Sequence, residues 1–396
     1  MTSLLTVTDR PFWLRNRGDL QRIAALTDYL LDGGLRLQFL FVRSPRSEGS
    51  ASDLPSHYRG AQIDTVIGGV KGRARFARGK RAGNKRDPLM MPEPNMTDFV
   101  SPSVRRAFGR RCRALLPDVV LVHYIRLAYV LDELPRSKPT PLTLIDTFDV
   151  MSSRCRQFHN VGERHWVNIS EEEERELLRR FDYVLAIQKR DAEEFRDMLP
   201  GGRILTVGHA CPIVRHPVRR SPPIVLTYVA TSGPANRLAL AGFLSNVWPR
   251  LVDRFGPMVK LRIVGRVCRS VPAVISGDVQ VLGEVEDLTD VYANADICIN
   301  PVVFGGGLKI KNVEALANCK PLVTTSVGAE GLEDGIGRAF LVCNTPEETV
   351  QELVALISDS ELRRRMSAEA RDFAEIHFSQ EAAYGELKLA LGGISH

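Results

Sequence analysis

The sequence predicts an α/β protein made of two doubly wound parallel sheets in tandem. Three observations carry this reading. Short apolar runs alternate with helical patterns along the 396 residues. A chain of this length exceeds what one ordinary core organises, so two domains are expected. A proline-rich break, CPIVRHPVRRSPP at 211–223, interrupts the alternation, which then restarts. Strands this apolar and this short, separated by helices, belong to sheets covered on both faces.

In the first half, strands are expected at 4–8, 37–42, 63–67, 119–123, 142–147, 183–187 and 204–207, and helices at 19–31, 103–116, 170–180 and 189–198. After the break, strands are expected at 224–230, 260–265, 279–282, 296–300, 321–325 and 339–342. Helices are expected at 236–255, 287–295, 308–318 and 346–358, with helix again from 360 almost to the end. The expected domains are 1–215 and 216–378, with a helix at 379–396 returning to the first. Ligands of such sheets bind beyond the C-terminal ends of the strands. Two facing domains therefore place the site in the cleft between them.

Composition fits a soluble globular protein, 44% hydrophobic and 25% charged. No run approaches the roughly 20 apolar residues of a membrane span. The start, MTSLLTVTDRPFW, has no basic leader and reads as a strand rather than a signal peptide. The seven cysteines form no CxxC pair and read as reduced thiols of a cytoplasmic protein. Residues 1–220 hold 37 Lys and Arg against 26 Asp and Glu, a net +11, whereas the remainder carries −5. That asymmetry points the first half toward an anionic partner, such as the inner face of the cell membrane. The stretch KGRARFARGKRAGNKR at 71–86 has eight basic residues and no acidic one. Its one aromatic, Phe76, is too few for base stacking, so nucleic acid is not the expected partner. A mobile solvated loop and a contact with an anionic surface or acceptor are both open readings. Arg105, Arg106, Arg110, Arg111 and Arg113 add a basic helix surface, whereas Glu171–Glu174 reads as a solvated helix start favoured by the dipole.

The richest stretch is PVVFGGGLKIKNVEALANCKPLVTTSVGAEG, Pro301 to Gly331. A strand, the glycines Gly305, Gly306 and Gly307, and a helix start together make an anion site. Backbone N–H groups and the helix dipole favour negative charge, and glycines let phosphate oxygens approach. Lys309 and Lys311 add full charge, and Glu314 shares a helix face with Lys311. Phosphate held by the lysines and a ribose diol held by Glu314 is one reading; a surface ion pair after a plain turn is the other.

These residues resemble the donor-site signature of glycosyltransferase family 4, retaining GT-B enzymes that use nucleotide sugars. YVATSGPANRLALAGFLSNVWPRLVDRFGPMVKLRIVG, VLGEVEDLTDVYANADICINP and the C-terminal SELRRRMSAEARDFAEIHFSQEAAYGEL are similar to further units of that family, so the resemblance covers roughly 223–390. It is fainter over 1–220, where LIDTFDVMSSR and FDYVLAIQKRDAEEF match best. The resemblance implies a GT-B fold, with Glu314 on the nucleotide ribose and Gly283, Glu284 and Val285 at the base. It places Ser232 and Gly233 facing the diphosphate, and Gly18 near the phosphates and sugar. Three positions depart from the family. Gly306 stands where members often carry a second glutamate for sugar hydroxyls. TSGPANR offers only Arg237 where many carry Arg and Lys, which leaves Lys309 and Lys311, Lys311 first, as the diphosphate partners. Phe148 replaces a histidine near the donor sugar; Asp149 beside it reads either as a site residue or as a helix N-cap.

The implied activity is glycosyl transfer from a nucleotide diphosphate sugar to a glycan or lipid-linked acceptor hydroxyl, as in glycan, polysaccharide or glycolipid assembly, with retention. No cofactor is expected, and without a DxD pair no metal bridges the diphosphate. His123 closes the strand VVLVHYI and, with Arg126, is an acceptor-side candidate; a structural histidine is the competing reading. A degenerate nucleotide-sugar-binding protein and a GT-B-like sugar-nucleotide epimerase are the alternatives. A dehydrogenase is disfavoured because no GxGxxG follows the first strand.

Overall fold

The computed structural model describes residues 2–15, 17–43, 58, 62–68, 93–136, 139–218 and 221–392. The basic stretch 71–86 lies outside the described residues. The chain divides into two compact units. The first comprises Met1–Leu14, Ile23–Val207 and Gly385–His396, the second Arg15–Arg22 and Gly208–Tyr384.

The first unit is built on β1 (Ser3–Thr8), β2 (Arg36–Arg43), β3 (Gln62–Ile67), β4 (Val119–His123), β5 (Leu142–Asp146), β6 (Tyr183–Ala186) and β7 (Ile204–Thr206). They pair in the order β3-β2-β1-β4-β5-β6-β7, all parallel. Every residue of β1 and β4 is buried, as a sheet covered on both faces requires. The second unit is built on β8 (Ile224–Val229), β9 (Val259–Val264), β10 (Asp278–Gly283), β11 (Ile297–Asn300), β12 (Leu322–Thr324) and β13 (Leu341–Val342). Their order is β10-β9-β8-β11-β12-β13, again all parallel. Both sheets reverse strand order once, between β1 and β4 and between β8 and β11. Those are the switch points where such sheets bind ligands.

One sequence device recurs at strand entries. An aspartate immediately precedes β4, β6 and β11, and its carboxylate accepts a neighbouring strand's backbone N–H. Asp118 takes Ser3 N–H, Asp182 takes Thr143 N–H and Asp296 takes Val225 N–H, each at 2.8 Å. A side-chain acceptor at a strand's start fixes its register against its neighbour.

The helices are α1 (Gly18–Asp32), α2 (Pro102–Leu115), α3 (Met151–Asn160), α4 (Glu171–Leu178), α5 (Lys189–Met198), α6 (Pro234–Asn246), α7 (Trp248–Phe255), α8 (Thr289–Ala293), α9 (Ile310–Ala317), α10 (Pro346–Ser358), α11 (Ser360–His377) and α12 (Gln380–Gly392). α2 starts with Ser101 as N-cap and proline at its first position. α10 has a full capping box between Thr345 and Glu348. Phe108 and Cys112 turn α2 into the first core. Val313 and Leu316 of α9 pack against Ala370, Phe373 and Ala374 of α11. Each fully buried large apolar side chain there contributes about 1.5–3 kcal/mol. All seven cysteines are free thiols. No helix among the described residues is long and apolar enough to cross a membrane.

Every expected strand forms, with ends shifted by one or two residues. The helices need four corrections. The helix expected at 236–255 is two, α6 and α7, because Pro249 cannot continue a hydrogen-bonded helix and starts a new one instead. α3 was foreshadowed only by the N-cap reading of Asp149, with no helix expected over 151–160. Its N-cap position, Val150, supplies no side-chain acceptor, so the N-cap role open to Asp149 is not the one it takes. The cap comes from Glu174, whose two oxygens accept Met151 N–H at 2.8 Å and Ser152 N–H at 2.7 Å. Glu174 is therefore fully buried rather than part of a solvated helix start. Burial pushes its carboxyl up to about 7, against the pull of those hydrogen bonds. The basic face of α2 is also partly neutralised, since Arg105 meets Asp132 at 2.7 Å and Arg111 pairs with Asp64.

Candidate functional site

The second unit gathers most of the candidate residues around the β8/β11 switch point. After β11 the chain runs through Pro301–Lys309 and enters α9. Gly305 and Gly307 have φ of 108° and 76°, left-handed values that side chains disfavour. Lys309 occupies the N-cap of α9 and makes no side-chain cap. Its ammonium donates to Gly307 O at 2.7 Å and lies 3.4 Å from the Glu330 carboxylate.

Lys311, one residue into α9, points elsewhere. Its Nζ donates to Asn236 Oδ1 at 2.6 Å and sits 5.1 Å from the centre of the Tyr228 ring. Burial, reinforced by the neighbouring Lys309 charge, pulls its ammonium down to about 7, against the attraction of Glu314. Glu314, one turn on, is buried, and its Oε2 accepts the Tyr292 hydroxyl at 2.7 Å. Burial pushes its carboxyl up to about 7, while hydrogen bonds from Tyr292 and Gln21 and the charge of Lys311 pull it down. A cation and an acid, both held near the point where either form is accessible, thus share one face of a short helix. Such perturbed pairs mark functional sites more often than structural ones.

The opposite side of α9 is fixed by a buried amide network. Asn300, the last residue of β11, donates through Nδ2 to Asn312 Oδ1 at 2.9 Å. Asn312 Nδ2 reaches Gly328 O at 2.8 Å, and Thr324 Oγ1 donates to Asn300 O at 2.8 Å. Strand end, helix start and the turn after β12 are therefore one hydrogen-bonded block. A Cβ on Gly328 would lie 1.9 Å from Thr324 Oγ1, so only glycine permits that closure.

The remaining candidates of this unit lie at the start of α1, after β8 and at the end of β10. Gly18 opens α1, and a Cβ there would stand 2.8 Å from Ile310 Cβ; glycine lets this turn approach the first residue of α9. Ser232 and Gly233 follow β8. Ser232 O accepts Arg237 Nη1 at 2.8 Å, and Gly233 is the N-cap of α6 without a side-chain cap. Gly283 ends β10 with φ of 74°, and its carbonyl accepts Gly265 N–H at 2.6 Å. Glu284 is bound by Arg266 at 2.7 Å and Arg269 at 3.1 Å, and Val285 is half-buried beside it.

In the first unit, His123 ends β4, and Arg126 and Asp149 lie just beyond β4 and β5. His123 Nδ1 meets Asp146 Oδ2 at 3.0 Å with both side chains fully buried. Arg126 is buried, donates to Asp9 at 2.8 Å through Nε, and stacks on Tyr124 at 3.8 Å. Tyr124 in turn stacks on Phe148 at 3.9 Å, and both residues have positive φ. Asp149 forms an ion pair with Arg154.

Sequence reasoning did not single out Gln21, Tyr228, Asn236, Tyr292, Asn300 or Asn312. One signal was available for Asn312: it occupies an inward position of the α9 pattern, between Leu308 and Leu316, where a polar residue needs a partner. The others sit on other elements: Gln21, Asn236 and Tyr292 on α1, α6 and α8, and Tyr228 and Asn300 on β8 and β11.

Comparison with known proteins adds a class to this geometry. Residues 223–359, about a third of the chain, match the family model described as Glycosyl transferases group 1. Sucrose-phosphate synthase from Thermosynechococcus elongatus superposes with a TM-score of 0.70 at 14% identity, covering 100% of both chains. TarM superposes with a TM-score of 0.72 at 9% identity over 100% of this chain and 99% of that one. HepE of Anabaena, solved with UDP-glucose, gives 0.65 at 13% identity over 99% and 100%. The fold is therefore GT-B, two parallel-sheet Rossmann-like domains. An uncharacterised 44.6 kDa protein of the Klebsiella pneumoniae cps region is 27% identical over 121 residues. That match spans 28% of this chain and 31% of the relative.

Proposed function

We propose that this protein transfers a sugar, a hexose or close relative, from a nucleotide diphosphate donor to an acceptor hydroxyl. The observation that carries the proposal is the Lys311–Glu314 pair at the head of α9, behind a glycine loop at the β8/β11 switch point. Of the two lysines, Lys309 already faces Glu330, whereas Lys311 makes no ion pair among the described residues and its charge is suppressed by burial. A bound diphosphate restores that charge. As the sugar–phosphate bond breaks, negative charge builds on the leaving diphosphate, where a preorganised cation stabilises it. Glu314 accepts the ribose hydroxyls, with Tyr292 and Gln21 holding its orientation. Glu284 is neutralised by two arginines, so the base meets the backbone and apolar parts of Gly283–Val285. Ser232 and Gly233 offer backbone N–H groups to the phosphates, and Gly18 lets its turn come close to them.

Transfer proceeds with retention, a leaving phosphate oxygen taking the acceptor proton, and no metal bridges the diphosphate. The acceptor side is assigned to the first unit, where His123, Arg126 and Asp149, already paired with Asp146, Asp9 and Arg154, hold the shape of the acceptor side rather than touch the acceptor. The acceptor is a glycan or lipid-linked glycan in polysaccharide or glycolipid assembly. The protein works in the cytoplasm and meets the membrane's anionic inner face through its basic first half. The cps-region relative supports the polysaccharide reading, and HepE with UDP-glucose supports the nucleotide sugar.

The test is calorimetric titration with UDP-, GDP-, dTDP- and ADP-sugars. One donor class binds, and Glu314→Ala or Lys311→Ala weakens it at least tenfold, about 1.4 kcal/mol, the scale of a lost charged hydrogen bond. Unchanged binding of every donor by both variants overturns the assignment.

A further inference from the structure

A second group of chemically capable side chains lies in the first unit, apart from everything used above. Cys155 and His159 stand four residues apart on α3, so both project from one helix face. Glu93 comes from the extended segment before α2. Its carboxylate oxygens are 3.0 and 3.2 Å from His159 Nε2. The same nitrogen is 3.8 Å from Cys155 Sγ. Ligand atoms of all three residues lie within 4.8 Å of one another. Cys155 Sγ is also 3.9 Å from His159 Nδ1, so an ordinary Glu–His ion pair accounts for two of them but not for a thiol against the same imidazole ring.

We propose that Glu93, Cys155 and His159 bind one zinc ion, with water completing the coordination. Sulfur, imidazole and carboxylate are the donor set zinc accepts, with Zn–S near ~2.3 Å and Zn–N and Zn–O near ~2.0 Å. At tetrahedral angles those lengths place sulfur and nitrogen about 3.5 Å apart, and nitrogen and oxygen about 3.3 Å apart. The observed 3.8 and 3.0 Å bracket this without backbone movement.

The surroundings hold the ligands in place. His165 N–H donates to Glu93 Oε1 at 2.8 Å, which orients the carboxylate, and Asn168 N–H bonds Pro94 O at 2.9 Å. Such outer contacts typically fix metal ligands. On binding, the Cys155 S–H bond gives its proton to solvent and the sulfur bonds zinc. The Val167 carbonyl that accepted that proton at 3.4 Å stays satisfied, because His165 Nδ1 also reaches it at 2.9 Å. Cys155 is buried while His159 is 45% exposed, so the ion enters from the histidine side. The bound ion ties α3 to the segments at 93–94 and 165–168. It is separate from the diphosphate, where no metal is proposed.

The test uses the full chain without a histidine tag, stripped with a chelator and titrated with Co²⁺ and then Zn²⁺. One equivalent of Co²⁺ gives a thiolate-to-metal charge-transfer band, which Zn²⁺ abolishes. Cys155→Ser loses the band, His159→Ala and Glu93→Gln weaken Co²⁺ binding at least tenfold, and Zn²⁺ raises the unfolding temperature of the unsubstituted chain but not of His159→Ala. His159 is half-exposed, so its variant keeps the test decisive even if Cys155→Ser misfolds. Absence of the band, or Co²⁺ affinity unchanged by His159→Ala, overturns the proposal.

Discussion

The two switch points of this molecule share a topology and differ in how their charges are spent. At β1/β4 the charged groups are paired with one another, although His123 Nε2 is buried without a hydrogen-bond partner among the described residues. Arg126 clasps Asp9 and stacks on Tyr124, His123 meets Asp146, and Asp149 meets Arg154. At β8/β11 the backbone is glycine, two helices begin without side-chain caps, and Lys311 and Glu314 are both pushed toward their neutral forms. The first arrangement stabilises the fold. The second leaves electrostatic free energy unrealised, which the proposed diphosphate and ribose would release. A conserved strand order thus supplies a crevice, and internal charge pairing decides whether the crevice is scaffold or site.

The comparison breaks first at Arg126. Arg126→Ala leaves the Asp9 carboxylate with only the more distant Arg10, at 3.9 Å, in a mostly buried setting. We expect a loss of about 2–3 kcal/mol, discounted from the fully buried case because Asp9 keeps some solvent contact. Urea unfolding measures it, and a change under about 0.5 kcal/mol would show that this pair is ornamental. Next is Glu174→Gln. The amide cannot accept both Met151 and Ser152 N–H groups, so α3 loses half its cap and about 1–2 kcal/mol of stability, again by urea unfolding.

Lys311→Met has the opposite signature. Donor binding falls at least tenfold, about 1.4 kcal/mol, while thermal stability stays level or rises, because a suppressed buried charge is removed. A parallel fall in both would place Lys311 in the scaffold class with Arg126. Donor affinity should also be bell-shaped around pH 7. The Lys311 ammonium is lost in the free protein as pH rises through about 7, so binding an anion then requires proton uptake. Glu314 is protonated as pH falls through about 7, so accepting a diol then requires proton release. Calorimetry from pH 5.5 to 8.5 checks both limbs; a flat profile refutes the paired titration. The smallest effect belongs to Tyr292→Phe, which removes one hydrogen bond to Glu314. It should move the acid limb toward higher pH and cost about 0.5–1.5 kcal/mol in donor binding at pH 7.

Much of the fold was legible because strand and helix periodicities are local. Thirteen apolar runs became the thirteen described strands, and proline at 249 was the visible reason why one expected helix became two. The Gly305–Gly307 loop and the Lys311–Glu314 spacing were equally plain. α3 was not, since its cap is Glu174, twenty-three residues from Met151. Nor was the state of the arginines and lysines. Nothing in the local sequence distinguishes Lys309, which faces Glu330, from Lys311, which meets Asn236 seventy-five residues away.

The sequence by itself determined the alternation of strands and helices, the glycine loop and the identity of the charged residues near it. Those depend on properties of a few neighbouring residues. Only the tertiary structure decided which charges are paired and which are held in suspense. Pairing and burial are set by elements far apart in the chain, and a carboxylate or ammonium takes its character from what surrounds it in space.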